Sequence, residues 1–423
     1  MSSFSEEQAR AYMHKLLAAM SQAGGSDLFI ANDFPPSMKA HGNMQPLTSQ
    51  KLTGELTRAL ANALMNERQR AEFEKEFECN FAISIPGLSR FRVNVFIQQQ
   101  HVGMVVRTIA AEIPNFEKLG LPPVLKEIVM HKRGLVLVVG GTGSGKSTSL
   151  AAMIDHRNRT SSGHIITVED PVEYVHQSQN CLVTHREVGV DTHTWHHALK
   201  NTLRQAPDVI LIGEIRDAET MEHAIAFAET GHLCMGTLHA NSANQTIDRI
   251  INFFPEERRN QLLMDLSSNL RAIVSQRLVR TSDGNGRKAA IEILINTPTI
   301  AEKIFQGEFH EIKGIMEKSR ELGMRTFDWA LFELYNAGYI AYEEAIRNAD
   351  SANELRLNIK LKSERGEPAS AAGLALSIHE EPAEEDLAEK RHQEQKLQQE
   401  KRRQLEDQEL QKLQAEKLQR EQS

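Results

Sequence analysis

Cysteine is scarce in this chain, and the few cysteines that occur are isolated. Among 423 residues there are three, Cys79, Cys181 and Cys234, and no C-x-x-C pair. This spacing indicates neither a disulfide framework nor a cysteine-bound zinc site. We therefore expect the three side chains to be small buried groups.

Long apolar runs and an excess of positive charge are absent as well. No run approaches the roughly 18 apolar residues that span a bilayer, and the first residues, MSSFSEEQARAYMHK, lack the pattern of a secretion signal. The formal net charge of −8 gives no overall attraction to nucleic acid or anionic lipid. These absences predict a cytoplasmic protein without a transmembrane segment and without a nucleic-acid partner.

The most informative motif that is present is GGTGSGKST at residues 140–148, which fills the pattern G-x-x-x-x-G-K-[ST]. An apolar run precedes it, and residues 146–156 form a helical pattern after it. The glycines allow backbone N–H groups to converge on phosphate oxygens at the start of that helix. Lys146 then reaches the β- and γ-phosphates, and the Ser147 hydroxyl contacts Mg²⁺.

The motif predicts a nucleoside triphosphate and Mg²⁺ as ligands. A glycine-rich turn without a ligand is the alternative, but such a turn seldom places Lys-Ser at a helix start. The predicted nucleotide-contacting residues of the loop are Gly140, Gly141, Thr142, Gly143, Ser144, Gly145, Lys146, Ser147 and Thr148.

The first hundred residues predict a small α/β domain. Apolar residues recur at helical spacing over 6–22, and β-like runs follow at 91–97 and 104–109. In the run 91–97 the apolar residues share one face and Arg92 lies on the other. Arg92 is therefore free to face a cleft.

The next part of the chain alternates apolar strands at 135–139, 164–168, 208–212 and 232–238 with helical patterns. Such alternation predicts a mainly parallel sheet covered by helices. Helical patterns dominate residues 256–361. The predicted organisation is an N-terminal domain (1–111), a linker around Pro114 (112–117), a second domain (118–362) and a tail (363–423).

The tail changes composition to Ala, Ser and Glu, and then to Glu, Gln, Lys and Arg. It retains few apolar residues for packing, and its leucines are too irregular for sustained heptads. We expect a disordered linker followed by a charged helix, with a defined coiled coil as the alternative.

Two predicted strands end in acidic residues, one at Glu169 and Asp170 and the other at Glu214. In a doubly wound sheet, both lie beside the phosphate loop and can hold a hydrated metal or orient water. Glu169 and Asp170 are equally compatible with solvated loop charges. His232 and His239 flank the last predicted strand, more than about 20 Å apart, so joint metal binding is unfavourable. They are interpreted as γ-phosphate sensors or as structural hydrogen-bonding groups.

These motifs together resemble the secretion and type IV pilus ATPase superfamily. Its signature boxes match GGTGSGKST at 140–148, TVEDPVE at 167–173, IGEIRD at 212–217 and ETGHLCMGTLH at 229–239. Four shorter segments resemble its retraction branch, the PilT and PilU proteins: SDL at 26–28, FRVN at 91–94, VRTI at 106–109 and TIDR at 246–249.

The resemblance implies a hexameric ATP-hydrolysing ring of two-domain subunits, with a PAS-like N-terminal domain and a RecA-like motor domain. It implies that Glu173 is the water-activating glutamate and that Glu214 is the Walker B glutamate, which contacts Mg²⁺ through water. It also implies that Arg92 and Arg107 close over the γ-phosphate. ATP is expected rather than GTP because no N-K-x-D motif occurs.

The chain also departs from the PilT pattern. Phe29 stands where a histidine is usual, Gln98-Gln99-Gln100 where an arginine is usual, and TIAEKIFQ at 299–306 replaces A-I-R-N-L-I-R-E. With the extra tail, these differences favour the PilU branch, whose members are accessory retraction ATPases. The implied partners are a PilT-like ATPase and the inner-membrane pilus platform protein, at the cytoplasmic base of a pilus used for twitching motility.

Three other functions compete with this one. A pilus-extension or secretion motor usually carries a tetracysteine zinc loop, which this chain lacks. A coupling ring with vestigial hydrolysis would not need the intact phosphate loop and acidic residues. A DNA-translocating ring is disfavoured by the acidic charge balance.

Overall fold

The structure is a computed structural model that describes residues 5–40, 43–109 and 113–366. The described residues up to Glu364 belong to one compact unit, which contains two β-sheets. Nearly all of the predicted tail lies outside the described residues. The last two residues of the predicted linker, Phe116 and Glu117, are already helical. The domain boundaries stay predictions.

The first sheet is antiparallel. Its strands are β1 (Asp27–Ile30), β2 (Ser37–Ala40), β3 (Asn43–Pro46), β4 (Glu78–Ile85), β5 (Ser89–Gln98) and β6 (His101–Ile109). Their order across the sheet is β3-β2-β1-β6-β5-β4. The accompanying helices are α1 (Glu6–Gln22), α2 (Gly54–Leu64) and α3 (Glu67–Glu76).

Helix α1 confirms the helix predicted over 6–22. It begins after Ser5, whose hydroxyl accepts from the Gln8 N–H while the Gln8 side chain accepts from the Ser5 N–H. This capping box satisfies two backbone donors that the first helical turn leaves unpaired. The apolar face of the helix, which includes Met13 and Leu17, belongs to the same core as the buried residues of the first sheet.

The second sheet is larger and mainly parallel. Its strands are β7 (Gly134–Val139), β8 (Gly163–Glu169), β9 (Cys181–Glu187), β10 (Val209–Ile212), β11 (Leu233–Leu238), β12 (Leu270–Arg280) and β13 (Arg287–Ile295). Their order is β13-β12-β7-β11-β10-β8-β9. The four strands predicted between 135 and 238 are confirmed as β7, β8, β10 and β11, with ends shifted by one residue at most.

Helices cover both faces of this sheet, which explains why β7, β10 and β11 are buried at every position. The helices are α4 (Phe116–Leu119), α5 (Val124–Val129), α6 (Lys146–Thr160), α7 (Trp195–Thr202), α8 (Ala218–Glu229), α9 (Ala243–Ile251), α10 (Arg259–Asn269), α11 (Pro298–Gln306), α12 (Ile312–Lys318), α13 (Phe327–Asn336), α14 (Tyr342–Asn348) and α15 (Ala352–Lys362). The three cysteines are free and buried, as expected. Among the described helices, none is both long enough and apolar enough to cross a membrane.

Helical patterns are expected to dominate residues 256–361, and one segment of this range is instead a pair of strands. Strands β12 and β13 form an antiparallel hairpin there, and β12 also pairs in parallel with β7. Most of β12 is buried, including the polar residues Ser275 and Gln276, so apolar and polar residues do not alternate along this run. Such a run cannot be distinguished from a buried helix by periodicity. The Asp283-Gly284 pair in the connection is the turn signal that could have identified the hairpin.

The pairing register places the functional loops together. Val139 pairs with Leu238, Ile212 with Gly236, and Ile212 also with Val168. Because these strands are parallel, the loops that follow β7, β8, β10 and β11 all emerge at one edge of the sheet. Ligands bind at such carboxyl edges in open α/β sheets.

The core of the first sheet offers a direct stability test at Phe91, which is fully buried on β5. Removing its ring leaves a cavity, so we expect Phe91→Ala to lower the free energy of unfolding by about 3–5 kcal/mol. Phe34→Ala is the matched control, because Phe34 is 45% exposed, and it should cost less than about 1 kcal/mol. Urea denaturation followed by circular dichroism measures both values. Equal costs for the two variants would contradict the core assignment.

Candidate functional site

A cleft of about 270 Å³ lies at the carboxyl edge of the second sheet. It brings together the phosphate loop, the acidic residues that end β8 or follow β10, and His239, which follows β11. Its polar lining consists of Thr142, Lys146, Ser147, Glu169, Asp170, Glu173, Tyr174, His176, Glu214, Thr237 and His239. Most of the residues that the sequence predicts for the site are therefore neighbours in space.

The phosphate loop connects β7 to α6 by a backbone path that glycine makes accessible. Gly143 and Gly145 have φ values of 73° and 90°, where a side chain would be strained. The Lys146 ammonium folds back over the loop and donates to the carbonyl oxygens of Gly140 at 2.9 Å and Gly141 at 3.0 Å. Burial lowers the pKa of Lys146, and the nearby Glu214 carboxylate opposes that shift. The loop's one positively charged side chain, Lys146, is thus held over the loop backbone.

Gln276 on β12 braces this loop, and the sequence analysis missed it. Its side-chain amide donates to the Ser144 carbonyl at 2.8 Å and accepts from the Ser149 hydroxyl at 2.7 Å. A Cβ on Gly145 would lie 2.7 Å from the Gln276 amide nitrogen, so the contact leaves room for glycine alone. Gln276 is 3% exposed and bonds to both the loop and the helix that follows it. No local motif marks this residue, because its strand was itself not predicted.

Glu214 follows β10 and is held by two basic groups. Its Oε1 lies 2.8 Å from His239 Nε2, and its Oε2 accepts from Arg216 Nε at 2.7 Å. The hydrogen bond to Glu214 raises the pKa of Arg216. These contacts fix the carboxylate at the cleft, but they also occupy both of its oxygens. Any metal contact by Glu214 therefore has to share an oxygen with one of these partners or pass through a water.

Glu173 lies in the loop after β8, beside Glu169. The Glu173 N–H points to Glu169 Oε2 at 3.4 Å. Desolvation in the crowded cleft raises the pKa of Glu173, although its side chain is open to the cleft, and the Glu169 and Glu187 charges act in the same direction. The positive charges of Arg92 and Arg107 oppose the shift. The pKa of Glu173 is thus raised overall, and the charges of two arginines on the first sheet influence it.

Arg92 and Arg107 are direct partners across strands β5 and β6. Asp27 on β1 pairs with Arg107 in register, and its Oδ1 accepts from Arg107 Nε at 2.7 Å. Asp27 is 7% exposed, and its other oxygen accepts from the Ser26 hydroxyl. The Ser26-Asp27 pair therefore positions Arg107, while most of the Arg107 side chain is solvent-accessible.

A second arginine of β5, Arg90, was not singled out from the sequence. Its guanidinium donates to Glu187 Oε2, a carboxylate at the end of β9 that is almost fully buried. The same Glu187 oxygen accepts from the Val172 N–H at 3.1 Å. Val172 immediately precedes Glu173. One carboxylate thus ties the first sheet to the loop that carries Glu173.

Two stacked histidines lie behind Glu169. His185 Nε2 accepts from the His176 N–H at 3.0 Å, so its Nδ1 carries the proton of the neutral ring and donates to Thr167 Oγ1. Burial lowers the pKa of His176 to about 4, and the His185 ring contributes to this shift. His176 is therefore neutral at physiological pH. It lines the cleft beside the acidic residues without adding a charge.

His232 is a predicted site residue that lies away from the cleft. It precedes β11 at the strand's opposite end, where its carbonyl accepts from the Gly134 N–H. Its Nδ1 lies 3.1 Å from Thr230 Oγ1 and 3.3 Å from the Phe227 carbonyl. Because β11 is extended for six residues, only His239 reaches the phosphate loop.

The cleft contains the oxygen donors that Mg²⁺ prefers. The Ser147 hydroxyl opens into it, and the carboxylates of Glu169, Asp170 and Glu214 line the facing wall. Thr148, in contrast, exchanges a hydrogen bond of 2.9 Å with the Tyr174 hydroxyl and belongs to the supporting structure. The donor set fits a hydrated divalent cation bound together with phosphate oxygens.

Comparison with known proteins gives consistent relatives. Residues 7–332 match the family described as type II/IV secretion system protein. The chain is 59% identical over 350 residues to the type IV pilus ATPase PilU of Pseudomonas aeruginosa, which covers 83% of the chain and 92% of the relative. It is 43% identical over 335 residues to the retraction ATPase PilT of the same organism, which covers 79% of the chain and 97% of the relative.

A solved structure of the pilus retraction motor PilT with bound ADP superposes with a TM-score of 0.75 at 39% identity. It covers 82% of this chain and 98% of its own length. The predicted α/β fold and the resemblance to the retraction branch are thereby confirmed. The higher identity to PilU than to PilT agrees with the departures from the PilT pattern.

The brace at Gln276 gives a prediction for both stability and nucleotide binding. Gln276→Ala leaves the Ser144 carbonyl and the Ser149 hydroxyl buried without partners, which should cost about 1–3 kcal/mol of unfolding free energy. If about 1.4 kcal/mol of this acts on the loop, the Kd for ATP rises about tenfold. Gln261→Ala is the control, because Gln261 is exposed and its side chain bonds to Asp265, four residues further along the chain. Binding of a fluorescent ATP analogue tests the pair, and unchanged affinity in Gln276→Ala would refute the bracing role.

Proposed function

The chain belongs to the type II/IV secretion system protein family, and on that premise we propose that it is an ATPase that assists type IV pilus retraction as an accessory to a PilT-like motor. The observation that carries the proposal is the convergence of the phosphate loop with Glu173 and Glu214 in one cleft. Nucleotide binding follows from the family, and the roles below are assigned to this chain's own residues.

Lys146 and the loop backbone bind the phosphates. The Lys146 ammonium donates to the Gly140 and Gly141 carbonyls in this structure. When ATP binds, it would donate to oxygens of the β- and γ-phosphates instead. Mg²⁺, held by the Ser147 hydroxyl and by Glu214 through water, would neutralise phosphate charge. Arg216 and His239 keep Glu214 oriented for that task.

Glu173 is the proposed general base. A water oxygen attacks the γ-phosphorus, the bond from the γ-phosphorus to the bridging oxygen breaks, and Glu173 accepts the proton of the attacking water. The raised pKa of Glu173 makes it a better proton acceptor than an ordinary glutamate. Arg92 and Arg107 stabilise the charge that develops on the transferred phosphoryl group.

Asp27 has a positioning role in this scheme. Its ion pair with Arg107 keeps the guanidinium on the face of β6 that the neighbouring Arg92 shares. Closure of the arginines over the γ-phosphate would differ between ATP and ADP states, because only ATP offers that phosphate. Such a difference in contacts is what a nucleotide needs to drive motion.

The accessory role rests on helix α11. This helix carries a single basic residue, Lys303, whose ammonium pairs with Glu308 at 2.6 Å and Glu311 at 2.8 Å. Its charge is thereby compensated, whereas the corresponding PilT stretch carries two arginines. We therefore assign hydrolysis to this chain and engagement of the membrane platform protein to its partner. Assembly as a hexamer at the cytoplasmic face of the inner membrane is part of the same proposal.

Glu173→Gln tests the catalytic assignment. The amide keeps the shape of the side chain but cannot accept a proton, so ATP binding should persist while turnover falls at least about a hundredfold. Lys146→Ala should instead weaken binding and abolish turnover, and Glu55→Gln on the exposed start of α2 serves as the unaffected control. Phosphate release and ATP-analogue binding measure the two effects. Loss of binding in Glu173→Gln would move this residue to a metal-holding or structural role.

The pH dependence provides a further check of the same residue. Because desolvation raises the pKa of Glu173, the base loses its charge at a higher pH than an ordinary glutamate does. Turnover should therefore be complete above the folded-state pKa and fall as pH decreases through it. A rate profile with its acid limb in the ordinary glutamate range would contradict the shifted base.

Division of labour is tested in cells that carry this gene but lack the PilT-like gene. We expect pili loaded in an optical trap to show little ATP-dependent retraction there, and full retraction after the PilT-like gene is restored. Forceful retraction without the PilT-like protein would instead make this chain a self-sufficient motor. A purified protein that binds ATP without turnover would favour the coupling ring.

A further inference from the structure

A cluster of histidine and glutamate side chains lies between helices α7 and α8, outside the proposed catalytic groups. His196 is in the first turn of α7, and Glu219 and His223 are four residues apart on α8. Residues at i and i+4 share one face of a helix. Each of the three side chains offers one ligand atom, and these atoms all lie within 4.8 Å of one another.

We propose that His196, Glu219 and His223 form a binding site for a zinc-class transition-metal ion. Two imidazole nitrogens and one carboxylate oxygen are a ligand set that Zn²⁺ accepts, whereas Mg²⁺ and Ca²⁺ prefer oxygen alone. A tetrahedral ion with ligands at about 2.0–2.1 Å requires the ligand atoms to be about 3.3 Å apart. Small side-chain rotations of this partly exposed group close the remaining distance.

Local contacts already orient two of the three ligands. His196 Nδ1 and Glu219 Oε1 are joined by a hydrogen bond, so a metal would replace the proton between them. The His223 ring stacks on Phe227, with ring centroids 5.9 Å apart, and lies 6.2 Å from the His196 ring. All three proposed ligands lie on helices, His196 on α7 and Glu219 and His223 on α8, where backbone hydrogen bonds fix the main chain.

Neighbouring groups are occupied in other contacts. His197 Nδ1 bonds to Thr194 Oγ1 at 2.9 Å, and Glu222 pairs with Arg258. Three protein ligands leave the remaining coordination position for water or for an outside group. The His197 ring lies beside the group, with its centroid 5.9 Å from that of His196, and the His193 ring lies near His197, with centroids 6.4 Å apart.

A bound ion would connect two elements that border the nucleotide cleft. Trp195, the residue before His196, lines the cleft. Helix α8 begins directly after the segment of Glu214 and Arg216, with Asp217 as its N-cap. The metal would cross-link α7 to α8 and restrict the movement of both segments.

Isothermal titration calorimetry with Zn²⁺ tests the proposal on the full chain, after chelator treatment and without nucleotide or Mg²⁺. We expect one equivalent to bind in the wild type. His223→Ala and Glu219→Gln should each raise the Kd for Zn²⁺ at least about tenfold. Loss of a group that only hydrogen-bonds to a metal ligand already costs about that much, and loss of the ligand itself costs more. Circular dichroism confirms that the variants fold.

His310→Ala is the matched control. His310 is an exposed histidine whose Nε2 lies 4.0 Å from a Glu311 oxygen, but the described residues around it contribute no third ligand to such a group. Its removal should leave the zinc affinity unchanged. Absence of saturable binding in the wild type would overturn the site, as would equal affinities for wild type, His223→Ala and Glu219→Gln. The visible spectrum of Co²⁺, bound in the same titration, should lose its bands in His223→Ala.

Discussion

The phosphate loop keeps its shape because strand β7 is fixed between β11 and β12, with its side chains buried at all positions. A loop that wraps a phosphate by its backbone has few side chains of its own to stabilise it. The surrounding sheet must therefore supply its rigidity. Gln276 on β12 provides this directly, since a single amide satisfies one polar group in the loop and one in the following helix. The pairing register of β7, β11, β10 and β8 also determines which side chains lie near the loop. These parallel strands end at the same edge of the sheet, so the residues that follow them lie close together.

The electrostatics of the cleft depend on charges contributed by both sheets. Glu169, Glu173, Glu187 and Glu214 concentrate negative charge at one edge, which would repel a phosphate without compensation. Arg90 compensates Glu187, Arg216 compensates Glu214, and Arg92 and Arg107 act on Glu173. The first sheet is thus part of the electrostatic environment of the Glu173 carboxylate. Among the described residues, no salt bridge joins Glu173 to a basic group, and desolvation in the cleft raises its pKa.

Much of this arrangement could be predicted from the sequence where the information is local. The loop at 140–148, the strands around it and the free face of Arg92 follow from short motifs and from periodicity. The β12–β13 hairpin could not be recognised in this way, because burial on both faces removes the alternation that identifies a strand. Gln276 and Arg90 act through partners more than 90 positions away in the chain. The position of His232 could not be predicted for a related reason, since a sequence motif does not state which end of its strand faces the ligand.

Glu187 gives the molecule a mechanical connection as well as an electrostatic one. A single oxygen of this carboxylate accepts hydrogen bonds from Arg90 on the first sheet and from the backbone of Val172, one peptide unit from Glu173. Displacement of β5 must therefore either stretch this junction or pull the Val172 backbone with it. The junction therefore couples movement of the first sheet to the position of the Glu173 carboxylate. On the role proposed for Glu173, the position of the first sheet would then set when water is activated, although this sheet carries no phosphate loop.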